Sequence, residues 1–169
     1  MAGLLTLLRA GRWAPVALTF GSVAVLLGLV DDPAEAVGAL VVAIPFGVVW
    51  LVDDAAATLT ASARWGRRPQ LAVRCALAVA VAFGGWAAAV AYAGSAPPYG
   101  TVVLAALLAA ALASGITWGA AYGGPAAVVV WAATQLPPYD WGVAGREWWT
   151  VVVVAAGWLV VATRDPARS

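Results

Sequence analysis

The chain has 169 residues, of which 64% are hydrophobic and 10% are charged, and its formal net charge is +1. A soluble domain carries about 25% charged residues, so this apolar excess is too large for one water-facing core and indicates that lipid surrounds most of the chain. The low net charge gives no support for nucleic-acid binding, and the sequence contains no histidine for catalysis or metal ligation.

The N-terminal segment, residues 1–12, places four leucines on one side of a helical wheel ahead of Arg9 and Arg12. This pattern is typical of a short helix in the membrane interface; a disordered leader or an extension of the first span is the alternative. The apolar run that follows ends in Asp31-Asp32-Pro33, without the small-residue pattern of a cleavage site. We therefore expect a retained helix and not a cleaved signal peptide.

Six apolar segments predict transmembrane helices, because about 20 helical residues cross the hydrocarbon core of a bilayer. The predicted spans are residues 13–30, 36–52, 71–93, 101–118, 120–136 and 149–163, followed by a polar tail at 164–169. The purely apolar part of the fifth span, 126–136, is short. Either this span recruits residues 119–125 as a broken first turn or it stops short of full depth.

The arginines predict the orientation of these spans. With the N-terminus in the cytoplasm, eight of the nine arginines fall on the cytoplasmic side and only Arg146 falls outside. Cytoplasmic loops of membrane proteins carry this excess of positive charge. We therefore predict an all-α integral membrane protein with six transmembrane helices, an interfacial N-terminal helix and both termini in the cytoplasm.

The first long polar segment, residues 53–70, falls on the predicted cytoplasmic side between the second and third spans. Its acidic beginning favours a helix N-terminus, and arginines crowd its far end. This predicts a short amphipathic helix at the cytoplasmic surface; an ordinary polar loop whose arginines only set the topology is the alternative. The candidate residues of this segment are Asp53, Asp54, Thr58, Leu59, Arg64, Arg67 and Arg68.

A second polar segment, residues 136–148, falls on the predicted outer side. Its mixture of aromatic and charged side chains favours a segment that dips into the outer leaflet; a flexible loop with interfacial anchors is the alternative. The candidate residues of this outer segment are Tyr139, Asp140, Trp141, Arg146, Glu147 and Trp148.

Few residues within the predicted spans have charged or reactive side chains. We expect Arg74, one turn inside the third span, to extend to the interface instead of serving as an ion relay. Cys75 is expected to pack as a small apolar residue, and Gly84, Gly85 and Gly115 are expected to allow close helix contacts. The spans contain no acidic residue, lysine or histidine at mid-depth, which disfavours an ion-coupled transporter.

Enzyme motifs are missing from the sequence. It contains no GxxxxGK[ST] loop for ATP phosphates and no GxSxG, HExxH or CxxC motif. We therefore predict that the chain is not an enzyme and assign it no catalytic, cofactor-binding or metal-binding residue.

The layout resembles the membrane subunits of ABC-2-type (type V) ABC transporters, especially small, divergent actinobacterial permeases. The similarity lies in MAGLLTLLRAGR before the first span, VDDAAATLTASARWGRR after the second and LPPYDWGVAGREWW before the sixth. In that family these positions hold an interfacial helix, a coupling helix and an outer re-entrant segment. The usual family sequence has proline where this chain has Ala55, and another proline soon after the position of Ser62.

The resemblance implies a permease in the bacterial plasma membrane. A separate ATP-binding cassette subunit, which holds ATP and magnesium, would dock on the coupling helix. A second permease half, in a homodimer or a heterodimer, would complete the transporter. The expected cargo is a hydrophobic or amphipathic substrate, such as a lipid, peptide or drug-like molecule. Two alternatives from other classes are an accessory or scaffold membrane subunit without its own transport path and a membrane enzyme acting on lipid.

Overall fold

A computed structural model of the chain describes residues 13–29, 33–52, 67–97 and 100–134. Every regular element in these ranges is helical, so the prediction of an all-α fold is confirmed for them. The five α-helices are α1 (Trp13–Leu29), α2 (Pro33–Val48), α3 (Arg67–Ala93), α4 (Gly100–Trp118) and α5 (Ala120–Thr134). A 3-10 turn, Val49–Leu51, follows α2 directly.

Two glycines end helices in this fold. Gly94 has a φ of 69° and donates its backbone N–H to the Val90 carbonyl oxygen at 2.9 Å, which ends α3. Gly119 has a φ of 107° and donates in the same way to Gly115, so it is the whole connection between α4 and α5. Residues with a Cβ rarely adopt this backbone conformation, which explains why glycine stands at both helix ends.

The second helix lies at the centre of the described bundle. It packs against α1 and α3 and also against the close hairpin formed by α4 and α5. Most described side chains of α2 are buried, among them Val37, Leu40, Ile44 and Val48, whereas Ala39 and Phe46 are exposed. A helix that is apolar all round belongs in an interior, and the sequence of α2 fits that position.

Two of the helices are long and apolar enough to cross a membrane. They are Gln70–Ala93, with 24 residues, and Gly100–Trp118, with 19 residues. The apolar segments Trp13–Leu29, Val37–Leu51 and Ala120–Ala132 are shorter. The number of spans and their orientation stay predictions.

The fifth predicted span begins as a regular helix. α5 starts at Ala120 and continues through Pro125 to Thr134. Residues 120–125 therefore belong to a regular helix and do not form a broken first turn, and the depth that this helix reaches in a membrane stays a prediction. A proline near the start of a helix removes few backbone hydrogen bonds, which makes this arrangement tolerable.

Large apolar side chains remain exposed over much of the bundle. Leu18 and Tyr92 are 70% and 71% exposed, and Leu29, Val129 and Trp118 are also exposed. An apolar surface of this extent marks contact with a membrane or with other proteins.

Candidate functional site

The 3-10 turn at the end of α2 is a buried junction within the described part of the chain. Val49 and Leu51 are 0% and 1% exposed, and the Val52 N–H donates to the Val49 carbonyl oxygen at 3.1 Å. A 3-10 turn tightens the last turn of a helix and commonly marks its end. This turn contacts each of the five α-helices that the structure describes. A displacement of the chain at Val52 would therefore act on all five helices.

Glycines in α4 and α5 make room for this turn. Gly115 of α4 and Gly123 of α5 both lie against the Cγ2 methyl of Val49. A Cβ on Gly123 would meet that methyl and would lie 2.6 Å from the backbone carbonyl oxygen of Ala111 in α4. Glycine at 123 is thus required by the close approach of α4, α5 and the turn.

The preceding residues of α2 are fitted in the same way. The ring of Phe46 lies over Gly124, where a Cβ would come within 2.5 Å of the ring carbon Cδ2. The next residue, Gly47, lies against the side chain of Thr19 in α1. The Thr19 hydroxyl donates to the Pro15 carbonyl oxygen at 2.9 Å, so its hydrogen bond stays within α1. The C-terminal half of α2 therefore packs closely against both α1 and α5.

The start of α3 carries two buried polar side chains. Gln70 and Arg74, four residues apart on one helix face, are 7% and 4% exposed, and α3 contacts the 3-10 turn. The expectation that Arg74 extends to an exposed interface is therefore wrong. A buried guanidinium is tolerated only with a partner, and Arg74 does make such an interaction.

Most of the sequence-predicted site residues fall outside the described ranges. Arg67 and Arg68 are described, and their backbone forms the first turn of α3. The others lie outside the part of the chain that the structure describes: Asp53, Asp54, Thr58, Leu59, Arg64, Tyr139, Asp140, Trp141, Arg146, Glu147 and Trp148. Residues 1–12 and the predicted sixth span, 149–163, also lie outside it.

The three glycines that were predicted to allow close helix contacts have different surroundings in the structure. The expected close contacts are confirmed for Gly85, which lies against the Phe20 ring, and for Gly115. The expectation is wrong for Gly84, because nothing lies within 4 Å of the position its Cβ would take. The sequence analysis missed Gly123 and Gly124, although two adjacent glycines ahead of a proline in an apolar helix are a signal of close packing.

Within residues 13–29, 33–52, 67–97 and 100–134, no three potential metal-ligating side chains come together. The site consists of a buried 3-10 turn at the end of the central helix, packed against glycines of α4 and α5. Comparison with known protein families, with curated proteins and with solved structures finds no significant match to this chain.

Proposed function

We propose that the chain is the membrane-spanning permease subunit of an ATP-driven ABC transporter. It would export a hydrophobic or amphipathic substrate, and a separate ATP-binding cassette subunit would bind and hydrolyse ATP. This proposal includes the six-span topology with both termini in the cytoplasm. It also includes a second permease half, in a homodimer or a heterodimer, because the transporters that the sequence resembles have two such halves.

One observation carries the proposal: the turn Val49–Leu51 contacts every described α-helix and leads directly into the predicted coupling segment. A force applied to that segment would reach the turn through Val52, which is itself buried. Packed cores switch between discrete arrangements instead of deforming gradually. A central turn of this kind suits a subunit that a partner drives between two states.

The proposed sequence of events follows from this arrangement. The ATPase docks on the cytoplasmic segment that begins at Asp53 and ends in Arg67 and Arg68. Closure of the ATPase dimer moves this segment, the segment moves the turn, and the turn changes the packing of α2 against the α4–α5 hairpin. Because the turn also contacts α1 and α3, both sides of α2 respond together.

The test is a pull-down of the tagged chain, gently extracted from its host's membranes, with detection of any ATP-binding cassette protein by mass spectrometry. Reversing the charges with the double substitution Arg67→Glu and Arg68→Glu should remove the ATPase. The matched control is the double substitution Arg164→Glu and Arg168→Glu. It alters the net charge by the same amount, but in the predicted cytoplasmic tail, and should leave the ATPase bound. Equal recovery of the ATPase with both variants would contradict the assigned docking segment.

A further inference from the structure

A row of buried side chains runs along one face of α3 and ends in two polar residues. Its members stand at every fourth position, which places them above one another on the helix surface. All of them are between 0% and 7% exposed: Gln70, Arg74, Ala78, Ala82 and Trp86. The helix that carries this row packs against α2 and against the turn Val49–Leu51, which we name the coupling turn.

The polar end of this row lies at the end of the bundle that holds the coupling turn. Trp86 donates its Nε1 hydrogen to the Thr101 hydroxyl at the start of α4, whereas the coupling turn packs against Gly115. Gly115 follows Thr101 by about 21 Å of helix, at a rise of about 1.5 Å per residue. The contact of α3 with the coupling turn therefore comes from the half of α3 that precedes Trp86, and this half contains Arg74.

A guanidinium as deeply buried as that of Arg74 needs a negative charge beside it. Arg74 is 4% exposed and has an interaction partner. Within the described ranges the only acidic residue is Glu35, in the first turn of α2, about 21 Å of helix away from the coupling turn. Asp53 and Asp54 are much closer along the chain, because they directly follow the buried Val52.

We propose that Arg74 binds the carboxylates of Asp53 and Asp54 and thereby attaches the start of the predicted coupling segment to α3. The two aspartates lie outside the described ranges, but their covalent link to Val52 keeps them at the end of the bundle that carries Arg74. A guanidinium matches a carboxylate with two parallel N–H donors. The Gln70 carboxamide, one turn earlier on the same face, supplies further N–H donors for the same acids.

The remaining acidic residues fit this position less well. The chain has eight Asp and Glu residues in all. Two precede α2 at its far end, two belong to the predicted outer segment, and one stands in the predicted cytoplasmic tail: Asp31, Asp32, Asp140, Glu147 and Asp165. The tail residue Asp165 is therefore the competitor that a test must distinguish from Asp53 and Asp54.

The pair would give the coupling segment a second attachment to the bundle. This role rests on the proposed function, in which the ATPase acts on that segment. Through Val52 the segment is joined to the coupling turn, and through Arg74 it would also be joined to α3. Movement of the segment would then reach α3 directly, without passing through α2. Arg74 is in this sense a positioning residue.

Carbodiimide cross-linking of the purified full chain, without any ATPase, tests the pair. The sequence has no lysine, so Arg74→Lys keeps the positive charge and supplies the only side-chain amine. A water-soluble carbodiimide should join this amine to Asp53 or Asp54 in an amide bond, with loss of water, and peptide mass spectrometry locates the bond. Ala76→Lys, on the exposed side of α3, is the matched control and should not form this cross-link.

Unfolding by increasing sodium dodecyl sulfate gives a second, independent measurement. Arg74→Gln and the double substitution Asp53→Asn and Asp54→Asn should each lower the detergent fraction at the midpoint of unfolding. Their combination should cause no further loss, because the partners of one pair are not independent. Asp165→Asn combined with Arg74→Gln should instead give the sum of the two separate effects.

The outcomes separate this proposal from the one on which it rests. Cross-linking to Asp53 or Asp54, with a shared loss of stability, would support the pair. Cross-linking to Asp165, no cross-link to either aspartate, or effects that add would overturn it. Neither measurement involves the ATPase, so these outcomes leave the permease proposal standing. Absence of an ATPase from the complex of the unchanged chain would contradict the permease proposal and leave the pair intact.

Discussion

The contact at Gly123 gives the sharpest test of the packing around the coupling turn. In the substitution Gly123→Ala, the new Cβ would meet the Val49 methyl and lie 2.6 Å from the Ala111 backbone carbonyl oxygen. A side chain can rotate away, but a backbone carbonyl moves only with its helix, so α4 and α5 would have to separate. Overpacking of this kind lowers the free energy of unfolding by about 1–3 kcal/mol.

Alanine is also the better helix former by about 1 kcal/mol, and this gain must be removed from the comparison. Gly84→Ala is the matched control, because it makes the same change inside α3 where nothing lies within 4 Å of the new Cβ. We expect Gly123→Ala to be less stable than Gly84→Ala by about 1–3 kcal/mol. Gly115→Ala should fall between them, since its nearest obstacle is the Val49 side chain at 2.6 Å and not backbone.

The assay is unfolding of purified protein in mixed detergent micelles by increasing sodium dodecyl sulfate, followed by the fluorescence of the ten tryptophans. The difference between the two glycine variants is measured at one temperature and lipid composition. Equal stability of Gly123→Ala and Gly84→Ala would show that α4 and α5 do not approach as closely as the structure indicates, and would refute the reasoning.

Two further predictions use the same assay. Trp86 is buried, and its Nε1 donates to the Thr101 hydroxyl oxygen at 3.4 Å. Trp86→Ala should lower the free energy of unfolding by about 3–5 kcal/mol because it leaves a cavity, whereas Thr101→Val should lower it by less than about 1 kcal/mol because the hydrogen bond is long. Equal losses of stability in the two variants would contradict this prediction. Gly94 has a φ of 69° and ends α3, so Gly94→Ala should cost about 1–2 kcal/mol from backbone strain, and a stabilising effect would contradict a left-handed residue there.

The sequence predicted the helices well where a continuous apolar run meets turn residues. α4 ends at Trp118, as the predicted span does, because Gly119 follows this apolar run. The start of α3 differs: the helix already includes Arg67, four residues ahead of the predicted span. Hydropathy locates the segment suited to lipid, whereas polar residues can extend a helix beyond it.

The end of α2 could not be predicted by the same reasoning. Residues 49–51 are all apolar, and this pattern fits the continuation of an α-helix as well as a 3-10 turn. The second predicted span therefore includes them. The adjacent glycines of α3 show a similar limit. Gly84 and Gly85 are about 100° apart around the helix, and only the packed structure shows that Gly85 is the one facing Phe20.

The burial of Arg74 depends on tertiary packing and could not be predicted from the sequence pattern. A charge one turn inside an apolar run favours an exposed position at the interface. In the structure the face of α3 that carries Gln70 and Arg74 is covered, so both side chains are buried. The candidate docking residues at 53–64 and the outer segment at 136–148 lie beyond the described ranges and stay predictions.

The central claim is that an ATPase drives this chain through its cytoplasmic segment. Native mass spectrometry of the tagged chain, released gently from its own host's membranes, tests this claim most directly. We predict a complex of two permease halves with two copies of an ATP-binding cassette protein. A complex that holds only other membrane proteins, with no ATPase at any detergent strength, would contradict the claim and favour an accessory or scaffold subunit.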